Sequence, residues 1–406
     1  MANFSRALFV LIALAPCLPA GETVFPKFKT QEIEKNGLTV GYAVKLVDVD
    51  GDGKKDIVVV DSGRVIWYQN PDWKLRHIIK GGTKTDNVCI DAYDIDGDGK
   101  IDFALGADWK PFNTASGGTL QWLKRGATLD HAWSIHPIDE EPTVHRIQFI
   151  DVTGSGKKAL VSVPLMGRGS SAKMNWTDGS PVRVTAYQIP KDPLKERWTP
   201  LILDESLHVV HNFAPVPARS GKGSDIITAS YEGVSLLTHR GDKWARLHLG
   251  AGNQDNPKSN RGASEIKQGK LKNGKAFIAT IEPWHGNQVV VYTEPEKKGE
   301  LWTRTVVDDQ LKWGHAVSVA DLDGDGGDEL IIGVRDDGTD KAFRRGVRIY
   351  KQSDERGTKW ARDIIDNGGV AVEDLAVADL DGDGRPDIVA VGRQTHNARI
   401  YWNQGK

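Results

Sequence analysis

The sequence predicts an all-β fold, a seven-bladed β-propeller whose ring is closed by an N-terminal strand. Three observations predict it. An acidic loop motif recurs four times, a tryptophan-led apolar segment recurs six times, and equivalent points lie roughly 45–60 residues apart, the period of a strand- and glycine-rich blade.

The acidic motif, Asp-x-Asp-Gly-Asp-Gly-x-x-(Asp/Glu), occupies residues 48–56, 94–102, 321–329 and 379–387. Its carboxylates are Asp48, Asp50, Asp52 and Asp56; Asp94, Asp96, Asp98 and Asp102; Asp321, Asp323, Asp325 and Glu329; and Asp379, Asp381, Asp383 and Asp387. Carboxylates two residues apart with glycines between them let a tight loop wrap oxygen ligands around a hard cation, and the last carboxylate closes the shell from the next strand. The cation implied is calcium, acting as a structural staple. An EF-hand sensor would need helices on both sides, whereas residues 42–47 and 57–60 read as strands. Three repeats have lost the loop: 151–159 keeps one carboxylate of four, and 215–224 and 270–275 stand where the others would be. No calcium is expected in these.

Tryptophan opens the segments 73–79, 133–138, 198–203, 244–249, 302–307 and 360–365, which read as outer strands. The segment from Phe28, Phe-Lys-Thr-Gln-Glu-Ile-Glu, has the same character without its tryptophan and precedes the first acidic loop. It is expected as the outer strand of the last blade, 373–402, leaving no free sheet edge. The inner strands are expected to begin near Tyr42, Val88, His145, His211, Glu265, His315 and Glu373.

A repeating ring leaves room for one domain, 21–406, behind a leader at 1–20 that has Arg6, a short apolar run and a small-residue exit, as an export signal does. Pro16 departs from a lipoprotein box at Cys17, and the apolar run is too short to span a membrane. An exported (periplasmic or secreted) chain without its leader keeps only Cys89 and therefore no disulfide. With 53 basic and 55 acidic residues the charge is nearly balanced, which gives no electrostatic case for nucleic acid.

In a four-stranded blade the start of the inner strand shares a face with the turn between second and third strands, opposite the acidic loops. His145, His211, His315, Glu265 and Glu373 thus ring one mouth of the channel, where packing alone would favour valine or alanine. Neutral imidazoles converging from different blades, with carboxylates beside them, suit zinc or another divalent transition metal with an open position for substrate. The alternative is a channel lining with ordered water. Long turns carry Trp109 and Phe112, Arg168, Lys173 and Trp176, Trp284 and His285, Arg335, Arg344 and Arg345, and Arg393 and His396 to the same face. Aromatic faces interleaved with forked donors suit a small sugar or glycan; the candidate contacts are Trp109, Arg168, Lys173, Trp176, Trp284 and Arg335.

The acidic repeats resemble FG-GAP or VCBS-type repeats. More narrowly, Val144-His-Arg-Ile-Gln-Phe-Ile-Asp, Pro164-Leu-Met-Gly-Arg-Gly and Trp313-Gly-His-Ala-Val-Ser-Val-Ala-Asp are similar to the propeller part of the aldos-2-ulose dehydratase (1,5-anhydro-fructose dehydratase) family. The resemblance implies a metal-dependent lyase of keto-sugars with His145, His211 and His315 at the active mouth. Histidine-held metal would polarise the ketone, a base among Glu265, Glu373 and His285 would take the α-proton, and a β-hydroxyl or β-alkoxyl would leave. Two other readings stay open. One is a non-catalytic exported propeller that binds glycan or a protein partner; the other is a polysaccharide lyase, which the balanced charge favours less.

Overall fold

The computed structural model describes residues 23–240 and 243–406; the expected leader, 1–20, lies outside them. The described chain forms seven four-stranded antiparallel sheets. In chain order the blades cover 43–80, 89–140, 144–207, 212–250, 266–308, 314–367, and 372–403 with 28–34. Helix among the described residues is confined to one 3-10 turn, Ala172–Met174.

The inner strands begin at Ala43, Cys89, Val144, Asn212, Ile266, Gly314 and Val372, each within a residue of its expected start. The six tryptophan-led segments lie on the outer strands of blades 1 to 6. The strand Phe28–Glu34 pairs with Ala398–Asn403, from Phe28 opposite Asn403 to Glu34 opposite Ala398, as the fourth strand of blade 7.

Each second strand is covered by neighbouring blades on both faces, which explains why Asp56–Asp61, Asp102–Ala107, Glu329–Val334 and Asp387–Gly392 are buried throughout and read as apolar runs rather than alternations. The core lies in the seams between blades. Val44, Ile57 and Val59 of blade 1, for example, pack against Val389, Val391 and Ile400 of blade 7.

Hydrogen bonds fasten the same seams on the acidic-loop face. A side chain near the end of a third strand donates to the carbonyl of the second loop residue in the preceding blade: Asn70 to Leu380 O at 2.8 Å, Arg125 to Val49 O at 2.6 Å, and Asn403 to Leu322 O at 2.8 Å. His239 Nε2 lies 3.1 Å from Val152 O in the equivalent position. The last carboxylate of each loop works within its own blade. Asp56 accepts from the backbone N–H of Val49 and of Asn70, both at 2.8 Å, and Asp387 accepts from Leu380 at 3.0 Å and Asn403 at 2.9 Å.

Blade 4 keeps this carboxylate without the loop. Asp225, 2 % exposed, accepts from the Arg219 N–H at 3.1 Å and the Thr238 hydroxyl at 2.9 Å. Asp225→Ala leaves both donors without an acceptor and should cost about 1–3 kcal/mol. Urea denaturation should give the same loss with calcium and with chelator; a loss that appears only with calcium would assign Asp225 a role in ion binding instead.

Candidate active site at the channel mouth

Three of the inner-strand starts are β-bulges. The ladder slips between Val144 and Arg146, between Gly314 and Ala316, and between Val372 and Asp374, so the extra residue is His145, His315 or Glu373 in turn. A bulge re-aims its side chain out of the pleat, and all three side chains line one cavity of about 460 Å³. His211 reaches it from the residue before blade 4, and His285 from the turn after the second strand of blade 5. Turn residues on this face are held at left-handed φ: Asp108 at 54°, Thr143 at 57°, Val209 at 47°, His285 at 51° and Trp313 at 58°. Such angles are costly for side-chain-bearing residues, for β-branched Val209 above all, and concentrate where function constrains the backbone.

His211, His285 and His315 each offer a ring nitrogen within 4.8 Å of the others. Nε2 of His211 lies 2.7 Å from Nε2 of His285, and the His285 and His315 rings stack with centroids 4.9 Å apart. The other nitrogens are committed to the following blade. His315 Nδ1 donates to Glu373 O at 2.6 Å, and His211 Nδ1 lies 2.9 Å from Glu265 Oε1. At His315 the carbonyl acceptor sets the N–H on Nδ1 and leaves the Nε2 lone pair facing the cavity, as in metal-binding histidines oriented by an outer acceptor, and at His211 the carboxylate stands beside Nδ1 without a fully formed hydrogen bond. Burial holds His285 well below the usual imidazole range and brings His211 down to about 4 despite the adjacent carboxylate. Both rings are therefore neutral at physiological pH, the form a divalent metal requires.

Several sequence expectations need correction. His145 stands outside the three-imidazole group: its Nδ1 donates to His211 O at 3.0 Å and its Nε2 accepts from Arg146 Nη1 at 3.0 Å, while His285 takes the third place. Glu265 does not line this cavity. It lines a second cavity of about 280 Å³ further along the inner strands, among Lys45, Lys267 and Asp374. Against the effect of burial, His211 and Arg146 bring it down to about 2. Glu373 does line the mouth, but Arg393 donates to its Oε1 at 2.6 Å, and His315, Arg393 and Arg335 hold it below the usual carboxylate value although burial alone would raise it. Arg168 is spent on Glu141, donating at 3.0 Å to each carboxylate oxygen, and does not line the cavity. Lys173 sits in the 3-10 turn outside the lining.

Trp109, Trp176, Trp284 and Arg335 line the cavity as expected, joined by Trp313 and Arg146, which stand in the segments that carry the family resemblance but were not named as contacts. Arg335 lies over the Trp313 ring, 4.4 Å from its centroid, and Trp284 stacks on His285 at 4.6 Å. The indole N–H groups of Trp284 and Trp313 are buried without acceptors. At the rim Phe112, 71 % exposed, stacks on Trp176 at 5.8 Å. Trp313 and Arg146 flank bulge histidines in sequence, and that adjacency was the available signal.

On the opposite face the acidic loops gather carboxylates as well. Asp48, Asp50 and Asp56; Asp94, Asp96 and Asp102; Asp321, Asp323 and Asp325; and Asp379, Asp381 and Asp387 each bring three oxygens within 4.8 Å. Asp52, Asp98 and Asp383 lie outside these sets and accept from the N–H two residues on, at 2.8 to 2.9 Å. Glu329 is outside as well, and it accepts from Leu322 N–H at 2.8 Å. Burial pushes Asp56, Asp102 and Asp387 up to about 6 and Glu329 up to about 8.

Comparison with known proteins divides along the same lines. The FG-GAP-like repeat model matches residues 48–105 and 321–390, which hold the four acidic loops, so these stretches of the propeller are similar to FG-GAP repeats. Between them, residues 117–295, which supply His145, His211 and His285, match the model of the aldos-2-ulose dehydratase β-propeller domain. The propeller thus resembles that of a sugar dehydratase. Aldos-2-ulose dehydratase of Phanerodontia chrysosporium is 29 % identical over 288 residues, 66 % of this chain and 31 % of its own length. The match spans about a third of that relative. Among solved structures, a chain of the mitotic checkpoint complex aligns over 100 % of both chains at 10 % identity with a TM-score of 0.57. An Agrocybe aegerita lectin that recognises non-reducing terminal N-acetylglucosamine aligns over 82 % of each chain at 15 % identity with a TM-score of 0.51. Those likenesses are of fold alone.

Glu265 also accepts from Asn212 Nδ2. Glu265→Ala strips the acceptor from that amide and the carboxylate from beside His211 Nδ1 and should destabilise the protein by about 1–3 kcal/mol, the cost of leaving buried polar groups unpartnered. Glu265→Gln, which keeps an acceptor, should lose less. Denaturant unfolding of the two variants checks the order, and an equal loss would remove Glu265 as the group that orients His211.

Proposed function

We propose that the protein is a metal-dependent carbon–oxygen lyase that eliminates a β-hydroxyl or β-alkoxyl from a keto-sugar. The observation that carries this reading is the group His211, His285 and His315 on the wall of a cavity lined by four tryptophans, in a chain related to a sugar dehydratase propeller. Three imidazoles within 4.8 Å of one another are a fitting donor set for zinc or a similar ion. Such an ion supplies Lewis-acid polarisation of a bound ketone.

The chain's own residues do the rest. The indoles stack on the sugar ring and exclude water. Glu265 does not line the cavity and Glu373 is held by Arg393, so an imidazole is the proton acceptor, and His145 is the one outside the metal-binding group. Its Nε2 lone pair takes the proton α to the carbonyl. Arg146, which donates to that lone pair, has a second acceptor to turn to in Glu265, 3.7 Å from its Nη2. As the α C–H bond breaks, C=C forms, the β C–O bond breaks, and the proton returns to the leaving oxygen, giving water or an alcohol.

His211→Ala, His285→Ala and His315→Ala should each abolish stoichiometric transition metal by elemental analysis. His145→Ala should retain the metal yet slow elimination from 1,5-anhydro-fructose by about 100-fold or more, read by absorbance of the unsaturated product. Metal-free wild-type protein with intact activity would refute the lyase mechanism. The stacked, exposed Phe112–Trp176 pair favours a second reading, glycan binding without catalysis; glycan affinity that depends on Trp176 but not on metal would support it.

For the opposite face we propose calcium as a structural ion in the four acidic loops. Support comes from the three-oxygen groups and from the closing carboxylates, whose burial leaves them short of a counter-charge. Chelation should lower the melting temperature, because ion-binding free energy adds to folding free energy. Asp48→Ala and Asp379→Ala should each reduce that calcium-dependent increment by a fraction, and a melting curve indifferent to chelator would rule the ion out as a staple.

A further inference from the structure

Beside the imidazoles the cavity holds a pair of polar groups with nothing to bond. Glu373 is 4 % exposed, and with Arg393 on Oε1 its other oxygen, Oε2, is buried without a hydrogen-bond partner. Nε of Arg335 is likewise buried without a hydrogen bond, its nearest acceptor Asp336 Oδ1 at 3.5 Å, while Nη1 of the same guanidinium lies 3.6 Å from Glu373 Oε2. Both residues line the cavity. Each is also held in place from behind, Glu373 by Arg393 and Arg335 by the Trp313 ring beneath it. A buried acceptor and donor left unsatisfied at adjacent positions are costly unless something supplies the missing partner. A hydroxyl group does both at once, donating to a carboxylate and accepting from a guanidinium.

We propose that Glu373 Oε2 and the Arg335 guanidinium form a clamp for one substrate hydroxyl, the one next to the reacting carbon. Placement of the ketone at the imidazoles rests on the lyase reading; the clamp itself does not. His315 Nε2 lies 4.0 Å from Glu373 Oε2, so a ketone oxygen facing the imidazoles and a hydroxyl on the adjacent carbon reach both at once. The same carboxylate excludes a uronic acid in that orientation, because a second carboxylate would be set against it. Glu373 is then a specificity-determining contact with substrate rather than the base.

The test uses 1,5-anhydroglucitol, which offers ring hydroxyls without a ketone, and its single-deoxy analogues, titrated into the full-length protein and followed by tryptophan fluorescence. Glu373→Gln and Arg335→Gln should each weaken polyol binding by about 10- to 100-fold, the range for a hydrogen bond to a charged group. One deoxy analogue should lose that factor against wild type and lose nothing further against Glu373→Gln. Wild type that fails to bind the polyol, variants that bind as well as wild type, or losses that simply add would each overturn the clamp. Glu373→Gln keeps the carbonyl that holds His315, and Arg335→Gln lies just past the strand Glu329–Val334, so it serves if the first variant does not fold. Elimination from 1,5-anhydro-fructose is read separately. Glu373-dependent binding without elimination removes the lyase and leaves the clamp; elimination with binding indifferent to both substitutions does the reverse.

Discussion

The site depends on a bond that runs from one blade to the next. His145 spends Nδ1 on the carbonyl of His211, His211 sets its own against Glu265, and His315 uses its on the carbonyl of Glu373. Each acceptor is the residue that leads the following inner strand. One such bond contributes only about 0.5–1.5 kcal/mol net, but it does two things: it sets which nitrogen of each ring faces the cavity, and it makes ring orientation a function of the angle between neighbouring blades. On the other face Asn70, Arg125 and Asn403 bind carbonyls of the preceding blade, so the seams are fastened at both ends. The mouth is rigid because the propeller is.

The two faces treat charge in opposite ways. At the mouth each carboxylate has been given its cation: Glu373 has Arg393 and Arg335, and Glu265 has Arg146 beside His211. On the loop face the carboxylates outnumber what the protein offers them, and burial raises the last member of each set. Three loops are partial exceptions: Lys124 pairs with Asp96 in the second, Lys351 and Lys272 each lie 2.7 Å from Asp325 and Lys406 3.1 Å from Asp323 in the third, and Arg385 pairs with Asp383 in the fourth. A protein that places neutral imidazoles on one side and surplus carboxylates on the other separates soft from hard ligands by the full length of its inner strands.

Much of this was legible in the sequence, for reasons that differ between fold and site. Repeat spacing located every inner strand to within a residue because the loop motif and the strand are joined covalently at fixed distance. The same count brought His145, His211, His315 and Glu373 to the mouth. It could not rank them, because the count says which residues share a level and not which rings converge. His285 belongs with His211 and His315 although it lies on a turn outside the strand alignment, where φ of 51° aims it inward. Arg168 read as a sugar contact because the sequence does not show that Glu141, 27 residues away, already holds it. The surroundings of Glu265 and Glu373 were hidden in the same way: His211 and Arg146 hold the first and His315, Arg393 and Arg335 the second, all brought in from other positions along the chain.

The pairing of Phe28–Glu34 with Ala398–Asn403 sets an order of events during synthesis. Phe28–Glu34 leaves the ribosome long before the strand it pairs with. At roughly 5–20 residues per second the interval is on the order of tens of seconds, during which blades 1 to 6 can form and the N-terminal segment has no partner. An apolar strand left so long would be an aggregation hazard. Its sequence answers that hazard, with Lys29, Glu32, Glu34 and Lys35 spread over a stretch whose apolar anchors are only Phe28 and Ile33. The weak hydrophobicity that disguises this strand is what keeps it available until the ring is ready to accept it.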